Sequence, residues 1–168
     1  MIYRRLDHTG LKISALSFGS WVTFRNQADV DHAAEMMTAA YDAGVNFFDN
    51  AQAYAKGESE EIMGDCLKRM DLDHVNLVYC HRDDEETPVE EVAWAMHIII
   101  ERGQALYWET SEWTPERILA ALEVCEKHHL HKPVVEQPVY NLFERHRFAS
   151  EYDAIYQDNA NGATTWCP

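Results

Sequence analysis

The sequence predicts an α/β domain in which about six strands alternate with helices and form a parallel sheet wrapped by those helices. Two observations predict this class. Short apolar segments bounded by loops alternate with longer amphipathic segments, and those longer segments carry recognisable start and end signals for helices. The chain has 168 residues, of which 46% are hydrophobic. This is enough for one substantial core, so we expect a single domain over residues 1–168.

The first half of the chain predicts a short hairpin followed by two strand–helix pairs. In order, the predicted hairpin, strand, helix, strand and helix cover residues 3–13, 14–18, 31–43, 46–49 and 60–70. Gly44 suits the left-handed position that follows many helices. Ser59 is the predicted N-cap of the second helix, with acidic residues favourably placed in the first turn after it.

The second half predicts four strands and three helices. The strands cover residues 75–80, 105–108, 134–137 and 163–166, and the helices cover residues 88–102, 115–128 and 149–159. The first of these helices begins at Thr87-Pro88-Val89-Glu90, which is the pattern of a capping box with proline at the first helical position. Thr114 and Pro115 mark the start of the next helix in the same way. With the two strands of the first half, these four bring the number of predicted strands in the parallel sheet to six.

Charge and composition exclude several classes of function. The net charge is −15 and the pI is about 4.8, so we expect no binding to nucleic acid or to anionic membranes. The sequence contains no apolar run of membrane-spanning length, and its four cysteines show no C-x-x-C spacing. Both features favour a cytoplasmic protein with free thiols. His128, His129 and His131 fall at a helix end, where cationic side chains are favoured, and we expect no metal site.

Residues 44–64 are the most informative segment, because a buried strand there leads to Asp49 and then Tyr54, five residues further on. The segment resembles the second β-α unit of the aldo-keto reductases, in the branch that includes the potassium-channel β subunits. Further similarity covers residues 78–82, 107–113 and 134–143. The resemblance implies an incomplete TIM-type (β/α) barrel, since a closed one needs about 250 residues.

The resemblance also implies a reaction, the NADP-dependent reduction of aldehydes and other carbonyl compounds. The family's catalytic tetrad of Asp, Tyr, Lys and His is represented by Asp49, by Tyr54 as the proton donor and by His81 as the residue that orients the substrate. The lysine has no counterpart. Residues 1–69 resemble the family's start and residues 66–168 its middle. The helix over residues 60–70 would therefore join two family helices, with the loss of the β-α unit that carries the lysine.

For the cofactor, the resemblance implies that Ser111 and Gln137 hold the nicotinamide amide of NADP and that Trp166 stacks on its ring. Gly19 and Trp21 would lie under the mouth of the barrel. Glu109 stands where the family has a glycine. That change, and the absence of the final β-α unit that holds much of the adenosine and 2′-phosphate site, predict weak NADP binding.

The residues also allow two other functions. Glu109, Glu136 and Asp49 all fall near the C-terminal ends of predicted strands. If they face one mouth, two of them can act as acid and base or as acid and nucleophile in a hydrolase of the glycosidase type, with their separation deciding the stereochemistry. The other function is a non-catalytic binding protein. An incomplete parallel sheet leaves two unpaired edges, so we expect a homo-oligomer. In either enzyme the partner is a small-molecule substrate.

Overall fold

The computed structural model describes residues 1–6, 9–51, 54–69, 75–158 and 162–166, except for the side chains of Leu67 and Asp158. The chain divides into two compact units. Residues 1–5 and 11–73 form the N-terminal unit, and residues 6–10 and 74–168 form the C-terminal unit. Each has its own buried apolar cluster. The single domain over residues 1–168 stays a prediction.

The N-terminal unit contains an antiparallel hairpin, a two-stranded parallel sheet and two helices. The hairpin pairs β1 (Tyr3–Arg5) with β2 (Lys12–Ser14), and the parallel sheet pairs β3 (Phe18–Gly19) with β4 (Phe48–Asp49). The helices are α1 (Val30–Asp42) and α2 (Glu58–Arg69). The buried cluster forms where the two helices pack together, and its members are Phe24, Ala33, Met37, Ile62, Met63 and Cys66.

The first predicted strand, over residues 14–18, is wrong in its extent. Ser14 belongs to β2, where it pairs with Tyr3, and its backbone N–H donates to Asn46 Oδ1 at 2.7 Å. These contacts hold Ser14 in the hairpin, so that β3 begins only at Phe18. The predicted turn at residues 8–10 lies partly outside the described residues. Gly44 has a φ of 92°, as expected, and a Cβ there would lie 2.8 Å from the Tyr3 hydroxyl oxygen.

Ser59 is not an N-cap. It lies inside α2, is fully buried, and donates its hydroxyl to Asn50 Oδ1 at 2.9 Å. The helix starts earlier because a tight turn at Tyr54–Gly57 leads directly into it. In α1, by contrast, Asp29 is a cap that the sequence reading passed over, and its carboxylate accepts from the His32 backbone N–H at 3.0 Å.

The C-terminal unit is a four-stranded parallel sheet with three helices. The strands, in their order across the sheet, are β5 (Val75–His81), β6 (Ala105–Ser111), β7 (Val135–Glu136) and β8 (Gly162–Ala163). The helices are α3 (Val89–Glu101), α4 (Pro115–His128) and α5 (Asp153–Asp158), the last preceded by a π-helical turn at Arg147–Glu151. Together with β3 and β4, the described residues contain the six parallel strands that the sequence predicts.

The register of this sheet assigns each side chain to one of two faces. Tyr79 is the partner of Glu109, and Thr110 is the partner of Glu136. Partners across a parallel ladder share a face, and successive residues in a strand alternate between faces. Trp108, Thr110 and Glu136 therefore lie on one face, which we call the helix face because Trp108 packs in the helix cluster. We call the other the far face; its members are Tyr79, His81, Glu109, Ser111 and Gln137.

Helix capping in this unit agrees with the sequence prediction at α4 but not at α3. Thr114 caps α4 and accepts from the Arg117 backbone N–H at 3.3 Å, as predicted. The capping box at Thr87 does not form, because the Thr87 hydroxyl donates to Asp84 Oδ2 at 2.7 Å and Pro88 takes the cap position. The last strand is also shorter than predicted, and Trp166 forms only an isolated bridge with Val139.

Among the described helices, none is long and apolar enough to cross a membrane.

Candidate functional site

Four predicted site residues of the N-terminal unit lie together, and we call them the N-terminal cluster: Gly19, Trp21, Asp49 and Tyr54. Gly19 is the register partner of Asp49 across the parallel pair. Ser20 donates both its backbone N–H and its hydroxyl to the Asp49 carbonyl oxygen, at 3.1 and 2.9 Å. The Trp21 ring stacks on the Tyr54 ring with centroids 6.1 Å apart. The ends of β3 and β4 thus place an indole beside the phenol.

Tyr54 opens a strained turn. Its backbone N–H donates to the Ala51 carbonyl at 2.9 Å. Ala55 and Lys56 follow with φ values of 48° and 59°, a left-handed conformation that is unfavourable for residues with a Cβ. Two such residues in succession are uncommon, and backbone strain of this kind is typical of functional loops.

The environment of Tyr54 makes its phenol a weak acid. Burial raises the pKa of the Tyr54 hydroxyl, and the negative charge of Asp49 raises it further. Both effects disfavour the phenolate. The family's lysine would act in the opposite direction, since a cation stabilises the phenolate. Tyr54 is therefore protonated throughout the neutral pH range, but it gives up its proton reluctantly.

Four predicted site residues of the C-terminal unit also lie together, and we call them the C-terminal cluster: His81, Ser111, Gln137 and Trp166. His81 and Ser111 are register partners at the ends of their strands, on the far face. The Ser111 hydroxyl donates to the Gln137 carbonyl at 2.9 Å, and Gln137 Nε2 donates to the Tyr79 hydroxyl at 3.2 Å. Ser111 is fully buried, whereas His81 is exposed.

Glu112 holds the fourth member of this cluster in position, and the sequence analysis missed it. Its Oε1 accepts from the Val139 backbone N–H at 2.6 Å and from Trp166 Nε1 at 3.1 Å. Its Oε2 pairs with Arg147 Nη1 at 2.6 Å. Glu112 has a φ of 61°, so this carboxylate directly follows Ser111 on a left-handed residue at the strand end. That position, next to a predicted site residue, was the only sequence signal for it.

Glu136 points into the helix layer and away from the far face. It is fully buried, and its Oε2 accepts from the Thr110 hydroxyl at 2.6 Å. The Tyr152 hydroxyl lies 3.4 Å from its Oε1 and donates to the Trp113 carbonyl at 2.6 Å. Burial raises the pKa of the Glu136 carboxyl to about 7, although the hydrogen bond from Thr110 acts in the opposite direction. Glu136 is a buried acid in a structural network.

The expectation that Glu109 and Glu136 face one mouth is wrong. Glu109 precedes Thr110 in β6, and Thr110 is the register partner of Glu136, so the two glutamates project from opposite faces of the sheet. An acid–base pair must flank one bond of one substrate. The sheet itself separates these two carboxylates, and a glycosidase that uses them as a pair is therefore not supported. Both are also fully buried.

Comparisons with known proteins identify the family to which the chain is similar. The model of the Aldo/keto reductase family matches residues 15–69 and, separately, residues 65–167. The two matches meet within α2, where the sequence predicts that two family helices are joined. A rice (Oryza sativa subsp. japonica) protein named as a probable voltage-gated potassium channel subunit beta is 42% identical over 209 residues. An Arabidopsis thaliana protein of the same name is 40% identical over 209 residues.

Both alignments include the whole chain, which spans 64% of the length of each relative. They run over more residues than the 168 of this chain, so the relatives have internal residues that it lacks. Among solved structures, the crystal structure of a thermostable aldo-keto reductase in complex with the inhibitor epalrestat is similar, with a TM-score of 0.81 at 22% identity. The similarity covers 97% of this chain and 71% of that one, and it shows the fold.

Replacement of Glu136 by glutamine should change how folding stability depends on pH. The folded protein holds the Glu136 proton up to about pH 7, whereas the unfolded chain loses it near 4.5. The stability that the protonated carboxyl contributes is therefore lost as pH rises from about 4.5 to 7. Glu136→Gln, which is always neutral, should gain stability relative to the wild type by about 2 kcal/mol between pH 5.5 and 8.5.

Urea unfolding at both pH values measures this change, and pH 5.5 stays above the pI of about 4.8. The exposed Glu123 in α4 provides the control. Glu123→Gln should follow the wild type at both pH values. An equal stability difference between Glu136→Gln and the wild type at pH 5.5 and at pH 8.5 would show that Glu136 is ionised when buried.

Proposed function

Because this chain belongs to the aldo/keto reductase family, with an incomplete form of its (β/α) barrel, we propose that it catalyses the slow NADPH-dependent reduction of small aldehydes and ketones. Tyr54 is the proton donor in this proposal, and His81 orients the carbonyl group. The observation that carries it is the N-terminal cluster. Asp49, Tyr54 and Trp21 keep a common arrangement although the β-α unit that carries the lysine in the family has no counterpart in the sequence.

The C-terminal cluster supports the choice of a nicotinamide cofactor. A carboxamide needs both donors and acceptors, and the Ser111 hydroxyl and the Gln137 amide supply both within one hydrogen-bonded group on the far face. These residues fit the carboxamide end of NADPH. When bound, the cofactor supplies a hydride to the carbonyl carbon. Trp166, fixed by Glu112, provides an indole for stacking. Glu109 lies on the same far face and adds a carboxylate that the family lacks.

The chain's own contribution to the reaction is acid catalysis. As the carbonyl carbon is reduced, negative charge develops on its oxygen, and the Tyr54 hydroxyl donates a proton to that oxygen. Because burial and Asp49 raise the pKa of Tyr54, this transfer is less favourable than in a site with a cation beside the phenol.

Removal of the Tyr54 hydroxyl should abolish most of the reduction. We expect Tyr54→Phe to lower kcat/KM for a small aldehyde such as 4-nitrobenzaldehyde by about 100-fold or more, the usual contribution of a general acid. Oxidation of NADPH, followed by its absorbance, measures this rate. Because the pKa of Tyr54 is raised, its protonated form persists as pH rises. The wild-type rate of reduction should therefore not fall between pH 6 and pH 9.

Tyr41→Phe is the matched control, because Tyr41 is an exposed tyrosine of the same unit, on α1. It should reduce the aldehyde at the wild-type rate. The proposal fails if Tyr54→Phe is as active as Tyr41→Phe, or if no aldehyde is reduced by the wild type.

A second candidate function is non-catalytic assembly, and a specific surface feature favours it. Leu142 and Phe143 are adjacent in the loop after β7, and they are 87% and 94% exposed. Burial of one such side chain contributes about 1.5–3 kcal/mol, so two neighbours together make a strong contact point. The plant relatives are named as channel subunits. We propose that this loop contacts a second copy of the chain in a homo-oligomer.

The mass in solution tests this candidate. Light scattering at micromolar concentration should give a multiple of 19.4 kDa for the wild type. A double variant, Leu142→Ser with Phe143→Ser, should shift the mass toward the monomer. Leu119→Ser, at a leucine in α4 that is 40% exposed, should leave the mass unchanged. A wild-type monomer would exclude assembly through this loop.

A further inference from the structure

Two histidines and one glutamate come together on the surface of the C-terminal unit, and none of them belongs to either cluster. His97 and Glu101 lie one turn apart on α3, and His131 follows the end of α4. His131 Nε2 lies 2.9 Å from Glu101 Oε1, and the rings of His97 and His131 have centroids 5.0 Å apart. One ligand atom from each of the three residues lies within 4.8 Å of the other two.

The backbone that carries His131 is held in place by buried groups. After α4, His129 adopts a left-handed φ of 56°, and the Leu130 backbone N–H donates to the Cys125 carbonyl at 2.9 Å. Leu130 is buried. The His131 carbonyl accepts from Trp108 Nε1, a fully buried indole, at 2.7 Å. The position of His131 against α3 is thus fixed by the core of the unit.

The ligand types are those of a transition-metal site. Imidazole nitrogen and carboxylate oxygen suit Zn²⁺, which binds them at about 2.0–2.2 Å. In tetrahedral geometry these lengths put ligand atoms about 3.4 Å apart. The distance between His131 Nε2 and Glu101 Oε1, which is 2.9 Å, need increase only slightly for both atoms to bind one ion. The side chains of His131 and Glu101 are 45% and 61% exposed, so water can reach the ion and complete its coordination.

We propose that His97, Glu101 and His131 form a surface site for a divalent transition metal, with Zn²⁺ as the ion that fits best. The site joins α3 to the segment after α4, and a bound ion therefore ties these two elements together. The spacing of His97 and Glu101 on one helix face is visible in the sequence. The third ligand comes from 30 residues further along the chain than Glu101, and only the packing of the two helices brings it near.

Neighbouring contacts show what these residues do without an ion. His128 Nε2 lies 3.1 Å from Glu90 Oε1, which is a second histidine–glutamate pair, here between α4 and α3. The Trp94 ring lies between the two pairs and contacts both His97 and His128. If the residues serve only as surface ion pairs, loss of one histidine changes neither metal affinity nor the response of the protein to metal.

Zn²⁺ titration by calorimetry tests the site on the 168-residue chain at pH 7.5, with any affinity tag removed. We expect saturable binding of one Zn²⁺ per chain below about 100 µM. His97→Ala and His131→Ala should each weaken binding at least about tenfold. Glu101→Gln should weaken Zn²⁺ binding as well, because it removes the negative charge of the ligand. The glutamine keeps the shape of the side chain and its hydrogen-bond acceptor, so that only the charge is tested. Bound Zn²⁺ should raise the unfolding temperature of the wild type.

His146→Ala is the matched control. His146 pairs with Glu151 at 3.1 Å, and its side chain is 82% exposed, but in the described part of the chain this pair has no third ligand. Its loss should leave Zn²⁺ affinity unchanged. Equal affinities in the wild type and in the three site variants would overturn the proposal, and so would the absence of saturable binding. Neither result bears on carbonyl reduction, because no residue of the two clusters takes part.

Discussion

The parallel register of β5, β6 and β7 is the constraint on which the chemistry of the C-terminal unit depends. Side chains alternate between faces along each strand, so a shift of one residue would exchange the two faces completely. The register is secured on both sides of the sheet. Ser111 bonds to the Gln137 backbone on the far face, and Thr110 bonds to the Glu136 side chain on the helix face. These two hydrogen bonds keep Ser111 on the far face and Glu136 on the helix face.

Two glutamates in this unit, the fully buried Glu136 and the partly exposed Glu112, have carboxylates with different roles. Glu112 has Arg147 as a partner at 2.6 Å and accepts from Trp166, so that its charge helps to position an aromatic side chain of the C-terminal cluster. Glu136 has hydroxyl neighbours in place of a direct ion pair, and burial raises the pKa of its carboxyl. One glutamate acts through charge and the other is favoured in its neutral form. Both are placed by the same strands.

Much of this architecture could be predicted from the sequence, and the rest could not, for physical reasons. Helices α1 and α4 have clear apolar periodicity, and α4 has its expected cap at Thr114. The two-residue strands β3, β4 and β7 are too short to show a period of two. The capping box at Thr87 failed because Asp84, three residues earlier, competes for its hydroxyl. The join within α2 was predicted from family resemblance, and the two family matches that meet there confirm it.

For the candidate site, sequence reasoning found most of the residues, but it missed Glu112 and did not give the directions of the side chains. Asp49 and Tyr54 were identified from the resemblance of residues 44–64 to the aldo-keto reductases, and the structure groups them with Trp21. The separation of Glu109 from Glu136 depends on how β6 and β7 are aligned, and no local pattern encodes that alignment. The same holds for His97, Glu101 and His131, whose proximity depends on the packing of α3 against the end of α4.

Titration of the protein with NADPH, followed by tryptophan fluorescence, tests most directly whether the far face holds a nicotinamide. Trp166 belongs to the C-terminal cluster, so a nicotinamide bound there should quench its emission. After correction for absorption by the nucleotide, we expect saturable quenching in the wild type, and weaker binding when Gln137→Ala removes the amide. Fluorescence that does not change up to millimolar NADPH would contradict it, and would mean that the chain keeps the reductase fold without its cofactor site.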